Sequence, residues 1–194
     1  MTPFEKHVAR WRNCTRCELH KGRNKVVFTR GDIPASIAFV GESPGESENA
    51  NGFPFCGPAG HLLQHDIIDV AVPKDVTYCL TNLVCCIPRE EDGKKTAEPP
   101  DSAIKACTQR LQEFLRIVDP KLLICVGKLA EDFLQDRKYK HSIKLHREIP
   151  TVSIIHPSAI IRGVYSMRDL MVKRCIITVQ NAIQEYVCQR NPET

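Results

Sequence analysis

The chain has 194 residues, of which 42% are hydrophobic and 26% are charged, and its formal net charge is +4. That many apolar residues can form a core, which excludes a disordered chain and suits one α/β domain. The sequence shows no apolar run of membrane-spanning length, no secretory segment and no internal repeat. We therefore expect a soluble intracellular protein without a membrane partner.

Segments with the periodicity of helices alternate along the chain with short, buried strands. A helix is predicted near residues 3–12, and a basic stretch then leads to the first strand, "SIAFVG". A turn-rich stretch, "GESPGESENANGFPFCGPAG", precedes a helix near 59–72 and the second strand, "VTYCLTNLV". A polar loop is followed by the helix "PDSAIKACTQRLQEFLRIV", the strand "KLLICVG", the helix "KLAEDFLQ", the strand "TVSII" and a last helix near 165–188.

This alternation predicts an α/β fold. We expect three layers, α/β/α, around a central, mainly parallel sheet of four strands. Residues 1–194 are expected to form a single domain, on which a cysteine-containing segment of about residues 1–30 packs. Sites in such sheets form beyond the carboxyl ends of the strands. The turn-rich stretch, the "TN" of the second strand and an "HPS" motif all follow strand ends, so we expect them to meet in one crevice.

Charge is distributed unevenly along the chain. Residues 1–30 carry eight Lys and Arg against two acidic residues, a net +6, and residues 31–100 carry four against eleven, a net −7. Residues 101–194 carry fifteen against ten, a net +5. Basic ends permit contacts with phosphate, but the charge pattern alone favours an ordinary solvated surface.

Ten cysteines are many for an intracellular chain, and they favour a metal or cluster site over a disulfide scaffold. Cys14 and Cys17 form a C-x2-C pair, and Cys86 and Cys107 are the best candidates for two further ligands. Cys85 is an alternative to Cys86, because neighbours in an extended segment point to opposite sides. Four thiolates from separate segments suit an iron–sulfur cluster at least as well as zinc. The alternative is that the C-x2-C pair consists of free thiols.

Four side chains at the predicted crevice match what the cleavage of a glycosidic bond to a nucleobase requires. Glu42 offers a carboxylate for water or for a cationic sugar, and Phe55 offers an aromatic plane for the base. Asn82 offers a paired donor and acceptor for the base edge, and His156 a donor for the leaving base. Each also has an ordinary interpretation: a turn cap, a core aromatic, an Asx-turn residue and a packed histidine. For each residue taken singly the ordinary interpretation is favoured, so the residues alone indicate only a candidate crevice.

Three motifs together resemble the family 4 uracil-DNA glycosylases. The turn-rich stretch is similar to that family's first motif, "YCLTNLVCCIP" to its strand ending in T-N, and "IIHPSAIIR" to its second catalytic motif. The C-x2-C pair and the cysteine in the helix after "TN" match the family's four-cysteine iron–sulfur set. The resemblance covers roughly residues 10–175, with the motifs in the same order.

The resemblance implies an enzyme that flips uracil out of single- or double-stranded DNA, hydrolyses its N-glycosidic bond and leaves an abasic site. Glu42 would be the catalytic carboxylate, and His156 would stabilise charge on the departing uracil. The implied uracil-binding residues are Gly41, Phe55, Asn82 and His156, and the implied DNA-binding residues are Ser158, Ile160 and Arg162. Cys14, Cys17, Cys86 and Cys107 would ligate a 4Fe-4S cluster. We expect a monomer.

Ile160 or Ile161 would wedge into the base stack, although ordinary packing explains an apolar residue there equally well. The sequence departs from the family at Asn49, where Asp is usual, and at Cys85, where a basic residue is usual. It also departs at Cys56, where an aliphatic residue is common, at Ala159, where an aromatic residue is frequent, and in the long, charged loop before Cys107. These departures leave two alternatives open. One is a catalytically weak member that binds DNA or a protein partner, and the other is a glycosylase for another modified base.

Overall fold

The structure is a computed structural model that describes residues 1–90, 96–135 and 148–188. The strands are β1 (Arg30–Gly31), β2 (Ile37–Gly41), β3 (Tyr78–Asn82), β4 (Leu122–Val126) and β5 (Thr151–Ile154). The helices are α1 (Pro3–Trp11), α2 (Glu46–Asn51), α3 (Pro58–His61), α4 (Asp69–Ala71), α5 (Asp101–Val118), α6 (Lys128–Leu134), α7 (Pro157–Arg162) and α8 (Arg168–Tyr186). A π-helical segment, Leu62–Ile68, joins α3 to α4, and short 3-10 turns cover Glu18–Lys21 and Tyr165–Met167.

The strands form one sheet in the order β1-β3-β2-β4-β5, in which β1 is antiparallel to β3 and the other pairs are parallel. The predicted α/β class is confirmed, but the prediction of four strands was one short. β1 has only two residues, too few to show a period-two pattern. Its Gly31 has a φ of +103°, and a Cβ there would lie 2.4 Å from the Tyr78 carbonyl oxygen. Only glycine allows this edge strand to approach β3 so closely.

Apolar side chains cover both faces of the sheet, as three layers require. Along β2, Ala38 and Val40 pack with α5 and α6, whereas Ile37 and Phe39 pack on the opposite face with Leu62–Ile68 and α8. All five residues of β2 and of β4 are buried, which is typical of parallel strands covered on both sides. None of the described helices is long and apolar enough to cross a membrane.

Two short helices lie where the sequence showed only turns. α2 forms inside the turn-rich stretch and ends at Gly52, which has a φ of +89°. α7 begins directly after His156, with Pro157 at its first turn. Both helices have six residues, so neither displays enough of the 3.6-residue period to be predicted from apolar spacing. Both place residues of the crevice.

The N-terminal helix packs on α5. The Trp11 indole Nε1 donates a hydrogen bond of 2.7 Å to Glu113 Oε2. His7 is 4% exposed, lies among the rings of Phe4, Phe28 and Phe114, and has no hydrogen-bond partner for either ring nitrogen. Burial lowers the pKa of His7 to about 4, with the positive charge of Arg110 adding to the effect. Folding therefore favours the neutral form of His7.

This histidine should make the protein sensitive to mild acid. Between about pH 6.5 and pH 4 the unfolded chain protonates His7 more readily than the folded chain does, so stability is lost as pH falls. We expect the free energy of unfolding of wild type, relative to His7→Phe, to fall by about 2 kcal/mol between pH 7 and pH 4.5. Urea titrations at the two pH values measure this difference. The exposed His65→Gln is the control and should keep the wild-type dependence; a His7→Phe variant that also keeps it contradicts the assignment.

Candidate active site

A cavity of about 680 Å³ lies at the carboxyl-end edge of the sheet. It brings together most of the predicted site residues, which come from segments more than a hundred residues apart: Glu42, Phe55, Asn82, His156, Ser158 and Arg162. The expectation of a single crevice at the strand ends rests on sheet topology alone, and the geometry agrees with it.

Gly41, a predicted uracil-binding residue, is not among the residues that line the cavity, but it lies against Asn82 and Phe55, which are. It ends β2 and lies in register with Asn82, the last residue of β3. A Cβ at position 41 would lie 2.5 Å from Asn82 Oδ1 and 2.5 Å from Phe55 Cζ. The missing side chain therefore lets the amide and the aromatic ring approach the same stretch of backbone.

The backbone of Phe55 has an unusual conformation, which hydrogen bonds of the neighbouring residues support. Its φ of +54° is a left-handed conformation, which is strained for a residue with a bulky side chain. Glu48 supports this conformation: its Oε1 accepts from the N–H groups of Cys56 at 2.9 Å and Gly57 at 2.8 Å, and its Oε2 accepts from Gly45 at 3.0 Å. One carboxylate thus ties the beginning of the turn-rich stretch to its end.

Glu42 follows β2 directly and lies inside the cavity. Burial raises the pKa of its carboxyl group, the nearby Glu98 carboxylate raises it further, and the Arg162 guanidinium opposes both. The carboxylate is therefore poorly solvated, and its negative charge is available for a cation that forms beside it.

His156 caps the first turn of α7. Its Nδ1 accepts from the Ser158 backbone N–H at 3.2 Å and lies 2.8 Å from Ser158 Oγ. Because Nδ1 accepts from a backbone donor, the neutral ring carries its proton on Nε2, where it can be donated to a ligand. Burial lowers the pKa of His156, and Arg162 lowers it further, so the neutral form is favoured.

Sequence comparison identifies known proteins that this chain resembles. A family model described as "Uracil DNA glycosylase superfamily" matches residues 28–180. A curated "Type-4 uracil-DNA glycosylase" of Thermotoga maritima is 34% identical over 162 residues, which cover 79% of this chain and 81% of the relative. The chain belongs to the uracil-DNA glycosylase superfamily.

Two further proteins named type-4 uracil-DNA glycosylase support the assignment to this superfamily. Proteins of the same name from Sulfurisphaera tokodaii and Archaeoglobus fulgidus are 31% and 27% identical, covering 76% and 77% of this chain and 70% and 78% of their own. The crystal structure of Pedobacter heparinus SMUG2 superposes with a TM-score of 0.58 at 14% identity, covering 77% of this chain and 76% of that one. This likeness concerns the fold.

The cavity also has a wall that no motif indicated. It consists of Thr96, Ala97 and Glu98 from the polar loop and of Gly127, Lys128 and Asp132 at and near the beginning of α6. Gly127 did follow a predicted strand, which was a usable signal. Its φ is +99°, and a Cβ there would lie 3.0 Å from His156 Cβ, so the glycine makes room for the histidine. Residues 91–95 of the same polar loop lie outside the described residues.

The two isoleucines of α7 differ sharply in exposure. Ile160 is 1% exposed and packs in the core beside α8, so the ordinary packing interpretation applies to it. The implied contact of Ile160 with DNA must be corrected on this ground, because a helix points neighbouring side chains in different directions. Ile161 is 45% exposed and is the one available to a DNA strand.

Two of the departures from the family pattern, Asn49 and Cys85, occupy buried positions. Asn49 Oδ1 accepts from the Asn24 backbone N–H at 2.7 Å, so it ties α2 to the N-terminal segment, and its Nδ2 has no partner. An aspartate would keep that hydrogen bond without leaving a buried donor unpaired. Cys85 is buried, and its carbonyl oxygen accepts from the Val27 N–H at 2.8 Å. Its side chain therefore offers no surface to phosphate.

The predicted cluster cysteines lie near one another between the N-terminal segment, the end of β3 and α5. Burial raises the pKa of Cys17, and the Cys107 and Cys14 thiolates raise it further. Burial also raises the pKa of Cys86 to about 11. Arg23 bridges two parts of the group, since its Nη1 donates to the Cys14 carbonyl at 2.6 Å and to Cys86 Sγ at 3.5 Å. Within the described ranges, no group of three or more His, Cys, Asp or Glu side chains is arranged to hold a metal ion.

Proposed function

We propose that this protein is a monofunctional uracil-DNA glycosylase that binds a flipped uracil in the cavity and hydrolyses its N-glycosidic bond, leaving an abasic site for base excision repair. The observation that carries the proposal is the convergence of Glu42, Phe55, Asn82 and His156 on one cavity. The type-4 uracil-DNA glycosylases to which the chain is similar support it.

Uracil recognition is assigned to Asn82, Phe55 and Gly41. A side-chain amide presents one acceptor and one donor, which match the N3–H and O4 of uracil. The Phe55 ring supplies a flat apolar surface for stacking. Gly41 keeps the space between amide and ring free of a side chain.

Bond cleavage is assigned to His156 and Glu42. As the bond to the base breaks, negative charge develops on uracil O2, and the Nε2–H of neutral His156 stabilises it by a hydrogen bond. The sugar becomes cationic at the same time, and the poorly solvated Glu42 carboxylate stabilises it and orients the attacking water.

Lys128 also lines the cavity, but its amine is not suited to attack the sugar. The Nζ lies 2.7 Å from Asp132 Oδ1 and 3.4 Å from Glu131 Oε2. The hydrogen bond to Asp132 raises the pKa of Lys128, so the amine stays protonated and is not a nucleophile. This supports a glycosylase without lyase activity.

DNA contacts are assigned to Ser158, Arg162 and Ile161, which lie on α7 beside the cavity. We also propose that residues 1–194 form one domain that includes the N-terminal segment. The hydrogen bonds of Val27 with Cys85 and of Asn24 with Asn49 support this view.

Release of uracil from a uracil-containing oligonucleotide tests the proposed function. We expect uracil to be released from single- or double-stranded DNA, and the product strand to break only after alkaline treatment. Strand cleavage without alkali would show a lyase. No release in any sequence context, with thymine, hypoxanthine and other modified bases tested in parallel, would refute uracil as the substrate.

We further propose that Cys14, Cys17, Cys86 and Cys107 ligate a 4Fe-4S cluster. The donor set is four thiols, the ligand set of such clusters. Each cysteine of a 4Fe-4S cluster binds a different iron, so the sulfurs need not converge on one point, as ligands of a single zinc ion must. The cluster is assigned a structural role, because the cysteines are not among the residues that line the cavity.

Substitution of the two adjacent cysteines tests the ligand set. Cys86→Ser is expected to lose most of the iron and the broad visible absorbance, whereas Cys85→Ser should keep both, because only Cys86 accepts from Arg23 on the N-terminal side. Iron content per chain and the visible spectrum are measured on protein purified without oxygen. The opposite result would make Cys85 the ligand, and zinc in a colourless protein would refute the cluster.

A further inference from the structure

A buried arginine lies behind the cavity and has no place in the assignments above. Arg110 on α5 is 2% exposed, and its guanidinium points at the end of β3. Its Nη1 donates to Thr81 Oγ1 at 3.2 Å. Its Nη2 donates to the carbonyl oxygens of Asn82 at 2.6 Å and of Leu83 at 2.8 Å.

The buried positive charge of Arg110 is unusual because the three oxygen atoms to which the guanidinium donates are all neutral. None of the ion pairs found in the described parts of the chain includes Arg110, and its Nε has no hydrogen-bond partner. Burying a guanidinium without a carboxylate is costly, and an apolar residue of similar size is often as stable or more stable in such a position. What the arginine supplies here is a set of three donated hydrogen bonds to the end of β3 rather than an ion pair with a carboxylate.

The two carbonyl groups that Arg110 holds belong to peptide units whose N–H groups point to the other side. The Leu83 N–H, in the same peptide unit as the Asn82 carbonyl, donates to the Gly41 oxygen at 2.9 Å. The Val84 N–H, in the same unit as the Leu83 carbonyl, donates to the Glu42 oxygen at 3.2 Å. Both peptide units are thus fixed between the guanidinium and the end of β2.

We propose that Arg110 is a positioning residue for the uracil site. It sets the backbone of Asn82 against that of Gly41 and Glu42, and so fixes the distance between the amide that reads the base and the carboxylate that faces the sugar. The inference rests on the proposed function. Displacing a reacting group by about 1 Å can cost about a hundredfold in rate, so the contribution of such a residue is measurable.

Arg110→Met, which is apolar and of similar length, is expected to lower kcat for uracil release about a hundredfold while KM changes much less. Arg110→Lys, which keeps the charge but not the two-pronged donor, should recover part of the loss. Phe114→Leu is the matched control, since Phe114 is buried one turn further along the same helix. It should lower stability without a comparable loss of kcat, when all variants are assayed at a temperature where they are folded.

A double-mutant cycle separates positioning from general destabilisation. If Arg110 acts through Asn82, Arg110→Met should cost about ten times less in an Asn82→Ala background than in wild type. The same loss in both backgrounds, or a loss no larger than that of Phe114→Leu, overturns the proposal.

Hydrogen exchange provides a test that does not depend on activity. Arg110→Met should speed exchange of the Leu83 and Val84 amides at least tenfold more than Phe114→Leu does, because these amides belong to the peptide units that lose their support. Unchanged exchange refutes the positioning role. If wild type releases no uracil, the proposed function fails, and the exchange comparison still decides the role of Arg110.

Discussion

Replacing Glu42 with Gln is expected to slow uracil release at least a hundredfold while uracil-containing DNA still binds. Glutamine has the shape of glutamate without its charge, so the variant removes the stabilisation of a cationic sugar and little else. A preorganised group of this kind contributes roughly a hundredfold to a thousandfold to kcat. Single-turnover rates measure the chemical step, and fluorescence anisotropy with a labelled oligonucleotide measures the affinity.

The pH dependence of the wild-type rate gives a second check on Glu42. Burial and Glu98 raise the pKa of this carboxyl group, so the rate should fall on acidification at a higher pH than an ordinary glutamate would cause. Glu46→Gln is the control, because Glu46 belongs to the same stretch and pairs with Arg89 outside the cavity. A Glu42→Gln variant that loses affinity as much as rate would contradict the role assigned to the carboxylate.

Gly60→Ala is expected to abolish most activity and to lower stability, although alanine is the better helix former by about 1 kcal/mol. A Cβ at position 60 would lie 1.9 Å from the Phe55 carbonyl oxygen and 2.6 Å from its Cα. Because these are backbone atoms, the clash can be relieved only if the backbone of Phe55 or that of α3 moves, and we expect the left-handed conformation of Phe55 to be disturbed. We expect kcat/KM to fall at least a hundredfold and the thermal midpoint to fall by several degrees.

Gly22→Ala is the control for this substitution. Gly22 has a φ of −104°, and a Cβ there would lie 3.6 Å from Arg89 Cδ, an ordinary contact. Thermal unfolding and uracil release of the two variants are compared side by side. Equal activity of Gly60→Ala and wild type would show that the conformation of Phe55 is not needed.

The layer architecture could be predicted from the sequence because β2 and β4 are continuous apolar runs and α5 has a strong apolar periodicity. The crevice could be predicted because strand ends are recognisable and parallel strands end at one edge. The strand ending in Asn82 and the motif beginning at His156 therefore had to lie near Glu42. The family resemblance supplied the chemistry, which strand ends alone do not.

The remaining features depend on contacts that a sequence does not display. The two residues of β1 show no pattern, and its place beside β3 depends on the φ of Gly31. Which of Ile160 and Ile161 is buried depends on the rotation of a six-residue helix. Arg110 could not be singled out either, since an arginine in an amphipathic helix is usually solvent-exposed.

The left-handed backbone of Phe55 limits how base preference can change during evolution or in a directed screen. Few residue types tolerate that conformation, and Gly60 and Gly41 leave no room for side chains against it, so single substitutions on this side of the cavity remove activity rather than redirect it. Thr96 and Glu98 also line the cavity and are exposed. We therefore expect a variant library to change base preference more readily at Thr96 and Ala97 than around Phe55, with Glu98 kept because it raises the pKa of Glu42.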